Sequence, residues 1–155
     1  MQLLKMLSLL LAVLTFALSV SSAPNARPKL ELNTLAKQNH KLYFGTASNN
    51  AEFINDTDYR RIIQDTGMFG QLTPAHGMKW SEVEPNPGQF TFAAADQFVQ
   101  FARGNGQLIR GHNCVWHERL PDWVANGTFT ESEILNVVEN HCGTLVGRYR
   151  GQICK

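Results

Sequence analysis

An α/β fold with parallel strands follows from three features of the sequence. Short apolar runs at 42–47, 69–73 and 108–113 are each followed by a segment whose apolar residues recur at helical spacing, the pattern of successive β/α units. Turn-forming residues punctuate these runs, among them Ser48-Asn49-Asn50, Pro74 and Gly104-Asn105-Gly106. A capping box, Thr130-Glu131-Ser132-Glu133, opens a long amphipathic segment after the third run.

Taken in order, residues 30–38 are expected to form a short helix, and Leu42-Tyr43-Phe44-Gly45-Thr46-Ala47 the first strand. A helix over 56–66 follows, with Asn55 or Asp56 as N-cap and Tyr59, Ile62 and Ile63 as its buried stripe. Phe69 to Thr73 reads as the second strand, closed by Pro74 and followed by a long loop over 75–89. Phe90 to Phe92 gives a brief extended piece before a helix over 94–104, in which Phe98, Phe101 and Ala102 share a face. Gly104-Asn105-Gly106 stops that helix. Residues 108–113 form the third strand. Behind the capping box, Ile134, Val138, His141, Leu145 and Tyr149 line one face of a helix running through Gly147, and a fourth strand begins at Gln152. Parallel β/α units collect their sites at the C-terminal ends of the strands, and a closed eight-fold barrel needs about 250 residues. The expectation is therefore a partial (β/α)8 TIM barrel made of its first three β/α units.

The N-terminus has a different character. One early lysine, Lys5, precedes an apolar run from Leu7 to Val20 and the small residues Ser21-Ser22-Ala23. That reads as a secretory signal peptide over 1–22, since a membrane anchor needs about 20 apolar residues between charged flanks. Pro24 disfavours cleavage after Ala23, so the expected cut follows Ser22 and removes 22 of 155 residues, leaving 133. Residues 23–29 form a proline-containing linker, and 30–155 an incomplete domain. A secreted, extracellular chain is expected, and the sequons at Asn55 and Asn126 fit such a chain as glycosylation sites.

Fourteen Lys and Arg against 13 Asp and Glu, with no basic stripe, exclude nucleic acid as a partner, and no second apolar segment suggests a membrane span. Three cysteines, Cys114, Cys142 and Cys154, are too few for a disulfide framework. Cys114 and Cys142 are expected as buried small apolar residues, with Cys142 to Cys154 the pairing to test. Nothing in the sequence sets an oligomeric state.

The loops opening at Ser48, Thr73 and His112 carry Lys79, Trp80, His112, Trp116 and His117. Lysine and histidine donate hydrogen bonds to hydroxyls, and the flat face of tryptophan stacks on a pyranose ring while its N–H stays available. Taken singly, such residues serve packing more often than function; their convergence on one face shifts the balance toward a sugar site. His76, His112 and His117 fit no standard zinc spacing, so no metal is expected, nor any cofactor. Ser48 and Ser81 have no neighbouring base to make them nucleophiles.

Several longer motifs carry a resemblance. Tyr43-Phe44-Gly45-Thr46-Ala47, Phe69-Gly70-Gln71-Leu72-Thr73-Pro74, Met78-Lys79-Trp80 and Glu84-Pro85 with Gly88, Phe90 and Phe92 resemble the opening of family 10 glycoside hydrolases of the endo-1,4-β-xylanase type. So do Arg110-Gly111-His112-Asn113-Cys114-Val115-Trp116-His117, Leu120-Pro121 and Trp123, and the likeness runs from about Leu30 to Ile153. It implies a (β/α)8 barrel that hydrolyses internal β-1,4 bonds of xylan with retention. It further implies that Lys79 and His112 hydrogen-bond xylose hydroxyls and that Trp116 forms part of the wall nearest the scissile sugar. His117, behind the acid/base, and Trp80 would support that network. Xylan or xylo-oligosaccharides are the implied partners.

Two departures qualify this. Where the family has Glu-Asn after the second strand, this chain has Ala75-His76, which is expected to weaken the distal glycone subsite. The family's acid/base lies in a Trp-Asp-Val-Val-Asn-Glu fourth strand and its nucleophile on the seventh, and neither position falls within these residues. Retaining hydrolysis needs two carboxyl groups about 5–5.5 Å apart. Glu82, Glu84 and Glu118 are not expected to replace them, Glu84 reading instead as a loop-structuring residue. Alone, the chain is expected to be inactive. The alternative is a secreted, non-catalytic decoy that binds xylan or a xylanase inhibitor.

Overall fold

The computed structural model describes residues 31–154; the expected signal peptide over 1–22 and the linker over 23–29 lie outside the described residues. Three parallel strands form an open sheet in the order β1-β2-β3, with β1 at Gly45–Ser48, β2 at Gln71–Pro74 and β3 at Leu108–Ile109. Gly45 pairs with Gln71 and Gln71 with Leu108, while Ser48 pairs with Pro74. The C-terminal ends of the strands therefore open toward one edge. The sheet is unclosed, as expected of a partial barrel.

Helix α1 (Leu32–Gln38) lies close to its predicted span. Strand β1 begins three residues later than the apolar run suggests. Phe44 N–H donates to Asn33 Oδ1 at 3.0 Å rather than to a neighbouring strand, and Leu42 is 75% exposed. The Phe44 ring stacks on Phe69, centroids 6.0 Å apart, so these bulky residues pack outside the ladder. Gly45 needs its lack of a side chain: a Cβ there would lie 2.9 Å from the Gln71 carbonyl oxygen.

The region after β1 holds two short helices rather than one, α2 (Asn50–Asn55) and α3 (Thr57–Ile63). Asn49 and Glu52 form a capping box that starts α2, a signal of the type that located the last helix. Asp56 caps α3, its carboxylate accepting from Tyr59 N at 2.9 Å. The predicted stripe is corrected at Ile62, which is 52% exposed, while Ile63 is buried. Turns at Asp65 end α3 before Thr66, with Met68 N and Phe69 N both donating to Asp65 O.

Between β2 and β3 the expected loop contains α4 (Trp80–Val83), followed by α5 (Ala93–Gly104). Helix α5 ends where Gly106, at φ +73°, turns the chain, a conformation that favours glycine. Beyond β3 come a 3₁₀ turn at His117–Arg119, α6 (Asp122–Ala125) and α7 (Glu131–Arg148). Thr130 and Glu133 make the expected capping box of α7. Strand β3 is only two residues long, against six expected. Its continuation is a single parallel bridge, Arg110 to Cys154, with Cys154 N donating to Ile109 O at 2.7 Å.

The core lies between the sheet and α5. Leu72 and Ile109 from the strands meet Ala95, Phe98, Val99 and Ala102 from the helix, with Phe53, Ile63, Met78, Val83, Leu145 and Tyr149 completing it. Phe53 stacks on Phe101, centroids 4.3 Å apart. Burying a side chain such as Phe98 contributes roughly 1.5–3 kcal/mol. Arg148 closes the end of α7 onto α5 through a two-pronged pair with Asp96, which also accepts from Tyr149 OH at 2.8 Å. All three cysteines are half-buried free thiols, a correction to the buried placement expected for Cys114 and Cys142.

Candidate functional site

The loops after β1, β2 and β3 meet around a cavity of about 510 Å³ lined by Thr46, Ala47, Ala75, His76, Lys79 and His112 among others. Gln71 and Thr73 line its floor, joined by a 2.8 Å hydrogen bond from Gln71 Nε2 to Thr73 Oγ1. Lys79 reaches the cavity from the residue before α4, and His112 follows β3 and is joined to Asn113 by a cis peptide bond. The Lys79 ammonium lies 4.3 Å from the Trp116 ring centroid, within range of cation–π attraction. The His112 and Trp116 rings lie 6.3 Å apart. Burial, then the positive charges of Lys79 and Arg110, push the His112 imidazole below its usual value. At neutral pH it is uncharged, with one donor and one acceptor nitrogen for a hydroxyl partner.

His76 turns toward β1. Asn49 Nδ2 donates to Glu52 Oε1 at 3.0 Å, which aims Asn49 Oδ1 at His76 Nδ1, 2.5 Å away. The Nδ1–H of His76 is therefore the donor, and the position beside Ala75 offers the cavity no carboxylate.

Of the residues singled out by sequence, Lys79, His112 and Trp116 come together. Trp80 does not reach the cavity but is buried, its Nε1–H donating to Glu84 Oε2 at 3.1 Å. The His117 side chain is 82% exposed, 3.8 Å from Glu118 and edge-on to Trp116. Asn55 and Asn126 are both exposed. Among the described residues, no group of three or more His, Cys, Asp or Glu side chains is placed to hold a metal ion, and no helix is long and apolar enough to cross a membrane.

Sequence reasoning missed the partnership of Glu84 with His141. Both are buried, with Glu84 Oε2 2.8 Å from His141 Nδ1 and His141 Nε2 3.1 Å from the Cys114 carbonyl oxygen. The His141 ring stacks on Trp80 at 4.1 Å. Glu84 also accepts from Gly88 N at 2.9 Å, and its carbonyl from Trp123 Nε1 at 3.3 Å. The available signal was a titratable residue on the apolar face of α7. Glu84 holds the surrounding loop as expected, and none of Glu82, Glu84 and Glu118 lines the cavity.

Parallel β/α units with a cavity at the ends of their strands, lined by Lys79 and His112 with the Trp116 ring close to both, define a partial β/α barrel with its site at the C-terminal edge of the sheet. The family model for glycosyl hydrolase family 10 matches residues 31–155, and the chain belongs to that family. It is 53% identical over 155 aligned positions to endo-1,4-beta-xylanase A of Phanerodontia chrysosporium, covering 90% of this chain and 38% of that protein. It is 49% identical to the endo-1,4-beta-xylanase of Agaricus bisporus over 79% of this chain and 37% of that one. Among solved structures, the family 10 xylanase of Bispora sp. MEY-1 with xylobiose superposes with a TM-score of 0.75 at 35% identity. It covers 79% of this chain and 38% of that one. Xylanase 10B of Thermotoga petrophila in complex with xylobiose gives 0.73 at 34%, covering 79% and 37%. The chain thus spans somewhat over a third of the length of these relatives, and matches their N-terminal part.

Proposed function

We propose that this chain is the N-terminal section of a secreted endo-1,4-β-xylanase and forms the glycone side of its xylan cleft. The observation that carries this is the meeting of Lys79, His112 and Trp116 at the C-terminal edge of the sheet, in a chain 53% identical to a xylanase. Lys79 donates to xylose hydroxyls, His112 donates or accepts as an uncharged imidazole, and Trp116 offers its face to a sugar ring. His117 and Trp80 support these residues, the first edge-on to Trp116 and the second as the buried neighbour of Lys79 in sequence. Glycans on the exposed Asn55 and Asn126 fit the secreted reading. Cleavage needs an acid/base and a nucleophile about 5–5.5 Å apart across the glycosidic bond. In this reading they come from barrel strands beyond Lys155, so the chain by itself binds without cleaving. No cofactor is required.

Joining residues 31–154 to the part of Phanerodontia chrysosporium endo-1,4-beta-xylanase A that follows the matched region tests the reading. Release of reducing sugar from xylan supports it; a folded, soluble hybrid without activity rejects it. One observation favours the second reading, a non-catalytic decoy: Ala75 and His76 leave the distal part of the cavity without a carboxylate. Under that reading the chain binds xylan or a xylanase inhibitor while the hybrid stays inactive.

A further inference from the structure

Glu84 and His141 are buried outside the cavity lining, and their hydrogen bonds restrict where a proton can sit. His141 Nδ1 faces Glu84 Oε2 at 2.8 Å and Nε2 faces the Cys114 carbonyl oxygen at 3.1 Å. A carbonyl and an ionised carboxylate only accept, and a neutral imidazole donates from one nitrogen alone. With Glu84 ionised and His141 neutral, one of these contacts would press two acceptors together in a site from which water is excluded, a costly arrangement. One proton must therefore occupy the line between Nδ1 and Oε2, while Nε2–H donates to Cys114.

Burial holds the His141 imidazole below its usual value, and the Glu84 hydrogen bond and charge, with the Cys114 carbonyl, offset this only in part; the two hydrogen bonds, not this shift, place the shared proton. The groups packed against the pair are the Trp80 and Phe90 rings, the Cys114 carbonyl and the N–H of Gly88. Glu84 is the charged side chain that acts on His141.

The pair also spans both loops that build the cleft. Glu84 holds the indole of Trp80, the residue after Lys79. His141 holds the carbonyl of Cys114, which lies midway in sequence between His112 and Trp116. The tips of these two loops meet where the Lys79 ammonium covers the Trp116 ring. We propose that Glu84 and His141 are positioning residues for the sugar cleft: sharing one retained proton, they fix the Trp80 and Cys114 anchors so that Lys79 and Trp116 meet. The value of this placement for binding rests on the reading of the cleft as a xylo-oligosaccharide site; the placement itself does not.

The test uses the full chain and nuclear magnetic resonance, with xylotriose as the probe. In the wild type, the His141 ring nitrogens should show a protonated Nε2 and no titration step between about pH 5 and 8, where an ordinary histidine titrates. His141→Phe keeps a ring against Trp80 but removes both N–H groups. It should abolish the nuclear Overhauser contact between the Lys79 ammonium methylene and the Trp116 ring, and weaken xylotriose binding on the order of tenfold. Phe98→Leu, a core change away from the pair, controls for lost stability and should leave both readouts unchanged.

A titration step for His141 in that range overturns the proposal. So does a His141→Phe chain that keeps the contact and binds within about twofold of the wild type, or a Phe98→Leu chain that loses both equally. Should His141→Phe not fold, the wild-type titration still decides. If the wild type binds no xylotriose, the sugar reading fails, while the imidazole titration and the Lys79–Trp116 contact still judge the pair.

Discussion

The Lys79 ammonium lies 4.3 Å from the centroid of the Trp116 ring, although 37 residues separate the two in sequence. Lys79 is only 6% exposed, so its charge is held against the ring face in a partly dehydrated site. There a cation–π contact is worth about 0.5–2 kcal/mol. Under the proposed reading of the cleft, the same ammonium donates to a sugar hydroxyl lying over the cavity while it clasps the ring.

Lys79→Met keeps most of the side-chain volume and removes the charge. It should lower xylo-oligosaccharide affinity by about 1–2 kcal/mol, combining the lost donor with the lost cation–π contact, as measured by isothermal titration calorimetry. Unchanged affinity would remove Lys79 from the cleft.

Restoring the family residues at the distal position, Ala75→Glu with His76→Asn, supplies two side chains able to bond sugar hydroxyls. At about 0.5–1.5 kcal/mol for each recovered hydrogen bond, affinity for a longer xylo-oligosaccharide should rise by roughly 1–3 kcal/mol. His76→Asn alone also breaks the bond to Asn49. A double variant no tighter than the wild type would show that this end of the cavity does not contact the ligand.

Asp96 is held below the usual carboxylate range, first by its hydrogen bond from Arg148, with a further bond from Tyr149. Because the folded value is depressed, the stabilisation is complete above about pH 4. It is lost as the pH falls through the lowered Asp96 value. The Arg148 side chain is 43% exposed, so solvent screening limits the pair to less than about 1 kcal/mol. Asp96→Asn should lower the urea midpoint near pH 7 and make the acid side of the stability profile shallower; an unchanged profile would contradict this.

Burial and the neighbouring Cys114 thiol push the Cys142 thiol up to about 12. The thiolate is the nucleophile, so iodoacetamide at pH 8 should label Cys142 far more slowly in the folded chain than in urea. Peptide mass spectrometry would follow this, and equal rates would show that the thiol is free of both influences.

The last helix and the order of strands were legible because their signals are local. Thr130 and Glu133 sit three apart at the start of a long stripe, and each apolar run precedes a turn residue. The same signal at Asn49 and Glu52 was overlooked because it follows the strand at once and opens a helix of six residues. Strand lengths were overestimated for another reason: Phe44 and Phe69 have the bulk of strand residues but stack on each other beyond the ladder. In the site, Lys79, His112 and Trp116 were found through residue type and motif. Glu84 and His141 were not paired, because 57 residues separate them and a histidine on an apolar stripe reads as packing. Only the fold shows that its two nitrogens face two acceptors.

The most direct test of the cleft is a titration of the folded chain with xylotriose, followed by the resonances of the Lys79 side chain, the His112 ring and the Trp116 indole. Saturable shifts are expected at all three, with little change at the exposed Asn55 and Asn126 and no release of shorter sugars. Shifts that are absent at these three groups, or that cluster elsewhere on the surface, would contradict this.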